Sequence, residues 1–186
     1  MMGIKEFYNY VSKVNKGKGE NEKFKPIIGC EVYVAERRLF NKETKEDRGH
    51  HLILLAKNKQ GYHNLVKIVS KAWSEGYYYN PRTDKVELEK YHEGLVCCSA
   101  CLGGEIPQLI KNGKLEKAEE SVMWFKNLFG DDFYLEIQRH KTDKPNAATD
   151  VYEKQEIVNK VIIDIARKHD IKIIATNDVH FVEADH

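Results

Sequence analysis

The chain has 186 residues, with 30 Lys plus Arg against 29 Asp plus Glu and a formal net charge of +1; that balance leaves no bulk positive field to draw it onto nucleic acid, so any such contact has to be local. With 41% hydrophobic and 32% charged residues and no apolar run near membrane-spanning length, the composition excludes a disordered tail, a collagenous repeat and a membrane span, no membrane partner is expected, and it fits one α/β domain over residues 1–186. Cysteines at 30, 97, 98 and 101 are too few and too clustered for a disulfide scaffold, and the N-terminus is neither a signal nor a transit peptide, so a cytoplasmic location with reduced thiols is expected.

Along the chain, Phe7, Tyr8, Val11 and Val14 recur at helical spacing from Ile4, and the Lys/Gly-rich stretch from Asn15 to Lys25 stops that helix. Pro26 to Val34 is a β-rich run whose apolar character before Glu31 predicts a strand buried on both faces. Glu36 to Arg48, with five basic and four acidic residues, reads as an exposed loop, and His51 to Ala56 as a second buried strand. Tyr62, Leu65, Val66, Val69 and Trp73 form the apolar stripe of a helix ending near Gly76. Tyr77 to Pro81 is a loop, Gly94 to Ser99 a strand, and Leu115, Ala118, Val122, Phe125 and Phe129 step through another helix. Asp132 to Ile137 is the next strand. Asp150 with Glu153 resembles a capping box opening a long helix along Val158, Val161, Ile162 and Ile165, and Ile171 to Ala175 supplies the final strand. Strands alternating with helices predict right-handed crossovers and a largely parallel sheet, open or closed into a barrel.

In such an architecture functional side chains collect where loops leave the carboxyl ends of strands. The polar residues near those ends are Glu31, His50 and His51, Cys98 and Cys101, His140, and the Asn177-Asp178-Val179-His180 run. Carboxylate, imidazole and thiolate together suit Zn²⁺, Mn²⁺ or Fe²⁺ rather than Mg²⁺ or Ca²⁺. Asp178 and His180, two apart on an extended strand end, would share one face and reach the same ion. Glu31 interrupts an apolar strand and needs a cation, either a metal or a basic side chain. Alternation sends His50 and His51 to opposite faces, so at most one enters a shared site.

The Cys98-x-x-Cys101 spacing lacks the second pair of a zinc ribbon, and Cys97 and Cys98 read most simply as buried, inert thiols. The Tyr77-Tyr78-Tyr79 cluster near Lys71 and Arg82 could stack single-stranded bases, although an aromatic loop packing on its own domain is the commoner arrangement. No Walker loop, Gly-x-Gly-x-x-Gly or Gly-x-Ser-x-Gly motif is present.

Five stretches taken in order, Lys25 to Val34, His51 to Asn58, Gly61 to Leu65, Gly94 to Glu105 and Ala175 to His180, resemble the N-terminal PHP (polymerase and histidinol phosphatase) domain of bacterial DNA polymerase III α subunits. The resemblance implies a distorted seven-stranded β/α barrel that binds up to three divalent transition metals and hydrolyses phosphoesters. It further implies metal ligation by Glu31, His51, Cys101, Asp178 and His180, with Cys101 standing where other PHP proteins often carry histidine. The family's opening strands, with a His-x-His pair and an Asp-His-Gly end, would fall before Met1. The expectation is therefore an incomplete barrel, a truncated fragment with exposed sheet edges and little nuclease activity of its own. Expected partners are DNA, through a parent polymerase, and other replisome subunits. The resemblance leaves three functions to separate: a metal-dependent 3′ to 5′ proofreading nuclease, a non-catalytic scaffold, and a small-molecule phosphatase.

Overall fold

The computed structural model describes residues 3–142, 150–180 and 182. Six helices, α1 (Ile4–Val14), α2 (Lys59–Ser74), α3 (Lys85–Tyr91), α4 (Glu105–Lys111), α5 (Leu115–Phe129) and α6 (Asp150–Lys168), accompany strands β1 (Gly29–Val34), β2 (His50–Ala56), β3 (Arg82–Thr83), β4 (Leu95–Cys98), β5 (Phe133–Ile137) and β6 (Lys172–Ala175). The strands form one sheet in the order β3-β1-β2-β4-β5-β6, with β3 and β6 at unpaired edges, so the sheet is not closed among the described residues. No described helix is long and apolar enough to cross a membrane.

The sheet is mixed rather than wholly parallel: β2 runs antiparallel to both β1 and β4, and the other neighbours are parallel. The reason is local. No α-helix separates β1 from β2, so the chain turns back beside itself instead of crossing over. This reversal puts the amino end of β2, with His50 and His51, level with the carboxyl ends of the remaining strands.

One face of the sheet carries the core. Val32, Val34, Leu52, Leu54, Cys97, Phe133 and Leu135 pack there against Leu65 and Ile68 of α2, Phe125 of α5 and Ile162 of α6. The opposite face of β1 and β2 is half-buried, with Glu31 and Tyr33 on one strand and His51 and Ile53 on the next. The expected two-sided burial of Pro26–Val34 is therefore corrected: the strand starts only at Gly29, Ile27 is 64% exposed, and burial alternates because helices cover a single face.

The 36–48 segment, read from sequence as an exposed loop, is partly built into the fold. Leu39 and Asp47 are buried, and a short 3₁₀ turn spans Lys45–Arg48. Asp47 accepts from Arg37 and from the amides of Glu43 and Thr44. Asp84, the N-cap of α3, accepts from the Leu39 amide at 2.8 Å, Arg38 Nε at 2.7 Å and the Glu87 amide at 3.0 Å. Partners more than forty residues away make this charged stretch a packed element, a pairing that local charge density does not reveal.

The tyrosine loop packs on its own domain. Tyr77 stacks on Trp73, Tyr78 meets Tyr79 edge to face, and the guanidiniums of Arg48 and Arg82 lie over Tyr79 and Tyr78. Helix α6 begins at Asp150, which pairs with Lys154 within the helix; the residue before it, where an N-cap would stand, lies outside the described residues.

Candidate functional site

Glu31 and His51 meet because of strand register. Glu31 pairs with Ile53 and Tyr33 with His51, so Glu31 and His51 are diagonal neighbours on the same face of an antiparallel pair. Glu31 Oε1 lies 2.8 Å from His51 Nδ1, and the Tyr33 ring stands edge-on to the imidazole with centroids 4.9 Å apart.

The third member comes from the turn after β4. Ala100 adopts a left-handed backbone, φ 64°, and brings Cys101 Sγ to 3.4 Å from the same His51 Nδ1. The turn is pinned to β2 by the His51 amide donating to the Gly103 carbonyl at 3.0 Å. Its two glycines answer to space: a Cβ at Gly103 would lie 3.0 Å from ring atoms of His51, and one at Gly104 would lie 2.3 Å from the Ser99 carbonyl oxygen.

Charge follows from this geometry. The Cys101 sulfur and then the Glu31 carboxylate push His51 up to about 10. The His51 contact holds Glu31 below its usual range against the opposing effect of burial, and the charge of His180 acts in the same direction. The protonated form of His51 is thereby favoured, with Nδ1 lying between the Glu31 carboxylate and the Cys101 sulfur. Burial raises Cys97 strongly and, with the charge of Glu136, pushes Cys98 up to about 12; both are buried, and all four cysteines are free.

Asp178 and His180 stand on the loop after β6 and form no hydrogen bond or ion pair with this trio among the described residues. The face-sharing argument for them needed extended backbone, but the strand ends at Ala175 and Asp178 is left-handed, φ 47°. His180 Nδ1 instead lies 2.7 Å from the carbonyl oxygen of Asp178. Together with His140, Asn177 and Val179 these residues line an open depression of about 610 Å³. His140 is fixed by Gln155, which accepts from its amide at 2.7 Å and meets its Nδ1 at 3.0 Å; its Nε2 is buried without a partner among the described residues. His50 turns away from the trio, as alternation predicted, and lines a recess with Glu36, Glu105 and Gln108.

A sequence model of the PHP domain matches residues 1–140. The chain belongs to the PHP domain family. Over 188 aligned residues, covering this entire PHP chain and 15% of its relative, it is 43% identical to the DNA polymerase III subunit alpha of Borreliella burgdorferi. The protein of the same name from Aquifex aeolicus is 43% identical over 171 residues, 88% of this chain and 14% of the relative. That of Thermus aquaticus is 38% identical over 188 residues, covering 100% of this chain and 14% of the relative. The PHP chain thus spans about 15% of the length of these curated relatives.

The donor chemistry of the trio fits a transition metal: one oxygen, one nitrogen and one sulfur converge from three segments of the PHP chain. Among the described residues, however, no group of three or more His, Cys, Asp and Glu side chains stands arranged to hold an ion. The donors satisfy one another instead, with Glu31 Oε1 and Cys101 Sγ both within hydrogen-bonding reach of His51 Nδ1.

Sequence reasoning singled out Glu31, His51 and Cys101, and it passed over three residues that shape their surroundings: Tyr33 beside the His51 ring, Gly103 against it, and Glu136, which accepts from the amide of Ala100. Glu136 carried a usable signal, a carboxylate inside an apolar strand, the same feature that drew attention to Glu31.

Proposed function

We propose that this chain forms part of a replicative DNA polymerase subunit and binds a divalent transition metal, Zn²⁺, Mn²⁺ or Fe²⁺, in a site serving phosphoester hydrolysis. The substrate favoured is DNA, cleaved from its 3′ end, with other replisome subunits as protein partners. The observation carrying this reading is the convergence of Glu31, His51 and Cys101 on the single atom His51 Nδ1. Asp178 and His180 are proposed as further ligands from the neighbouring loop.

On this reading Glu31, His51 and Cys101 hold the ion once the Nδ1 proton has left, since His must be neutral and Cys ionised to ligate. The chemistry such an ion supplies when bound is polarisation of a phosphate and a water of lowered pKa. Gly103 keeps the imidazole seated between its two partners, and His140, held in place by Gln155, lines the depression into which a phosphate would enter.

A second reading is favoured by the mutual satisfaction of the three donors: the trio is a brace that ties β1, β2 and the 99–104 turn together in a scaffold without turnover. Metal content separates the two. Inductively coupled plasma mass spectrometry of the purified chain is expected to find about one transition metal per chain, lost in Cys101→Ala/Asp178→Ala. No metal in either protein would leave the brace as the function of the trio. The isolated chain is expected to degrade single-stranded DNA far more slowly than a longer polypeptide carrying the family's opening strands, and both are expected to ignore histidinol phosphate; the reverse preference would assign a small-molecule phosphatase.

A further inference from the structure

Glu136 lies at the far end of the same sheet face, on β5, and is 6% exposed. Among the described residues, no Lys, Arg or His forms an ion pair or hydrogen bond with it. A buried carboxylate without a cation is costly unless hydrogen-bond donors converge on it, and here three do. Oε2 accepts the amide N–H of Ala100 at 3.1 Å. Oε1 accepts the side-chain amide of Gln138 at 3.1 Å and the hydroxyl of Thr176. The Gln138 amide also donates to Thr176 Oγ1 at 3.1 Å, and the Thr176 N–H donates to the Ile137 carbonyl at 3.1 Å. On the other side, the Glu136 N–H donates to Ser99 Oγ at 2.8 Å.

The two anchor points have a shared meaning. Ala100 immediately precedes Cys101 and holds the left-handed backbone that turns the thiol toward His51, a conformation a non-glycine residue keeps only when its surroundings enforce it. Thr176 stands two residues before Asp178, where the chain leaves β6. We infer that Glu136 is a positioning residue that fixes the Cys101 turn and the Asp178–His180 loop relative to each other through its two carboxylate oxygens. The inference rests on the metal-binding reading above. It specifies how donors from separate loops are kept at one separation: the carboxylate is acceptor-only, so both loops can present donors to it, whereas an amide in its place would set an N–H₂ group against one of them.

The test uses Co²⁺ alone as probe, with the full chain and the variants Glu136→Gln and Thr176→Val. Sulfur-to-cobalt charge-transfer absorption reports Cys101, and the visible ligand-field bands report the number and kind of the other donors. Removing a partner that orients a metal ligand lowers metal affinity by about 10- to 100-fold, and that loss is expected for Glu136→Gln. Thr176→Val releases only the second loop, so it should keep the charge-transfer band while the ligand-field intensity falls. A general loss of stability would move both signals together. Parent-like affinity and spectra in both variants, with cobalt bound by the parent, would overturn the positioning role and leave the metal reading standing. No cobalt uptake by the parent would overturn both. If Glu136→Gln does not fold, the split between the two signals in Thr176→Val decides, and its absence overturns the inference.

Discussion

Replacing Arg82 with alanine should cost about 3–5 kcal/mol of folding stability, the range seen on removing one member of a buried charged network. The side chain is fully buried. Its guanidinium donates to the carbonyls of Gly76 at 2.9 Å, Asn41 at 2.9 Å, Leu39 at 2.7 Å, and Asp47. A hydrogen bond to a charged group contributes about 1.5–3 kcal/mol, so four would sum to about 6–12 kcal/mol. Burying the ion costs several kcal/mol, and truncation lets water reach some of the freed carbonyls, which brings the net down to the lower figure. Lysine offers donors from one point and cannot span carbonyls that lie on different segments, so Arg82→Lys should recover less than half of the loss. Urea unfolding followed by far-ultraviolet circular dichroism measures both variants. For a chain of this size each kcal/mol shifts Tm by about 2–4 °C, so Arg82→Ala should melt about 6–20 °C lower. Three of the four acceptors belong to the connection between β1 and β2, and its amides should exchange faster in the variant. A loss below about 1 kcal/mol, or full rescue by lysine, would refute the assignment of Arg82 as the centre of that packed segment.

Acid should loosen the same segment. Burial raises the Asp84 carboxyl, but the Leu39 amide, Arg38 and the Glu87 amide outweigh it and hold the group below its usual value; its contribution is therefore present above about pH 3.9 and is lost as pH falls through the lower folded value. Urea midpoints measured from pH 5 to pH 2 should fall, and less steeply in Asp84→Asn; identical slopes would refute the linkage. Gly61→Ala should destabilise the fold by about 2–3 kcal/mol, because the added Cβ would lie 1.8 Å from the Gly94 carbonyl oxygen; a parent-like Tm would show that helix α2 can shift to admit it. Gly103→Ala should change Tm little yet weaken metal binding about 10-fold, since the methyl group presses on the His51 ring at 3.0 Å. Unchanged cobalt affinity in that variant would remove Gly103 from the site.

Much of the fold was legible because periodicity reports burial. The apolar stripes of α2, α5 and α6 and the apolar runs of β2, β4 and β5 predicted those elements directly. The short pieces, α3, α4 and the two-residue β3, offer too few turns or alternations for a period to register. The direction of β2 was not legible either, since a strand reads the same in either sense and only the absence of a crossover helix after β1 hinted at reversal. Of the site, Glu31, His51 and Cys101 stood out by chemistry, and the structure brings them to one atom. Asp178 and His180 stood out by spacing, and that argument failed at a left-handed residue that no local pattern announced.

The sequence by itself determined the class of fold, the thiol, imidazole and carboxylate available for chemistry, and the fact that at most one His of the 50–51 pair could enter a shared site. These follow from composition and from period, which act over a few residues. The tertiary structure alone decided that Glu31 and Cys101 share one nitrogen of His51, that Arg82 and Asp84 fold the charged 36–48 segment onto the sheet, and that Glu136 joins two loops. Each of those contacts spans twenty residues or more of chain; partners so far apart are chosen by strand register and helix packing, and neither is written in the neighbourhood of any one residue.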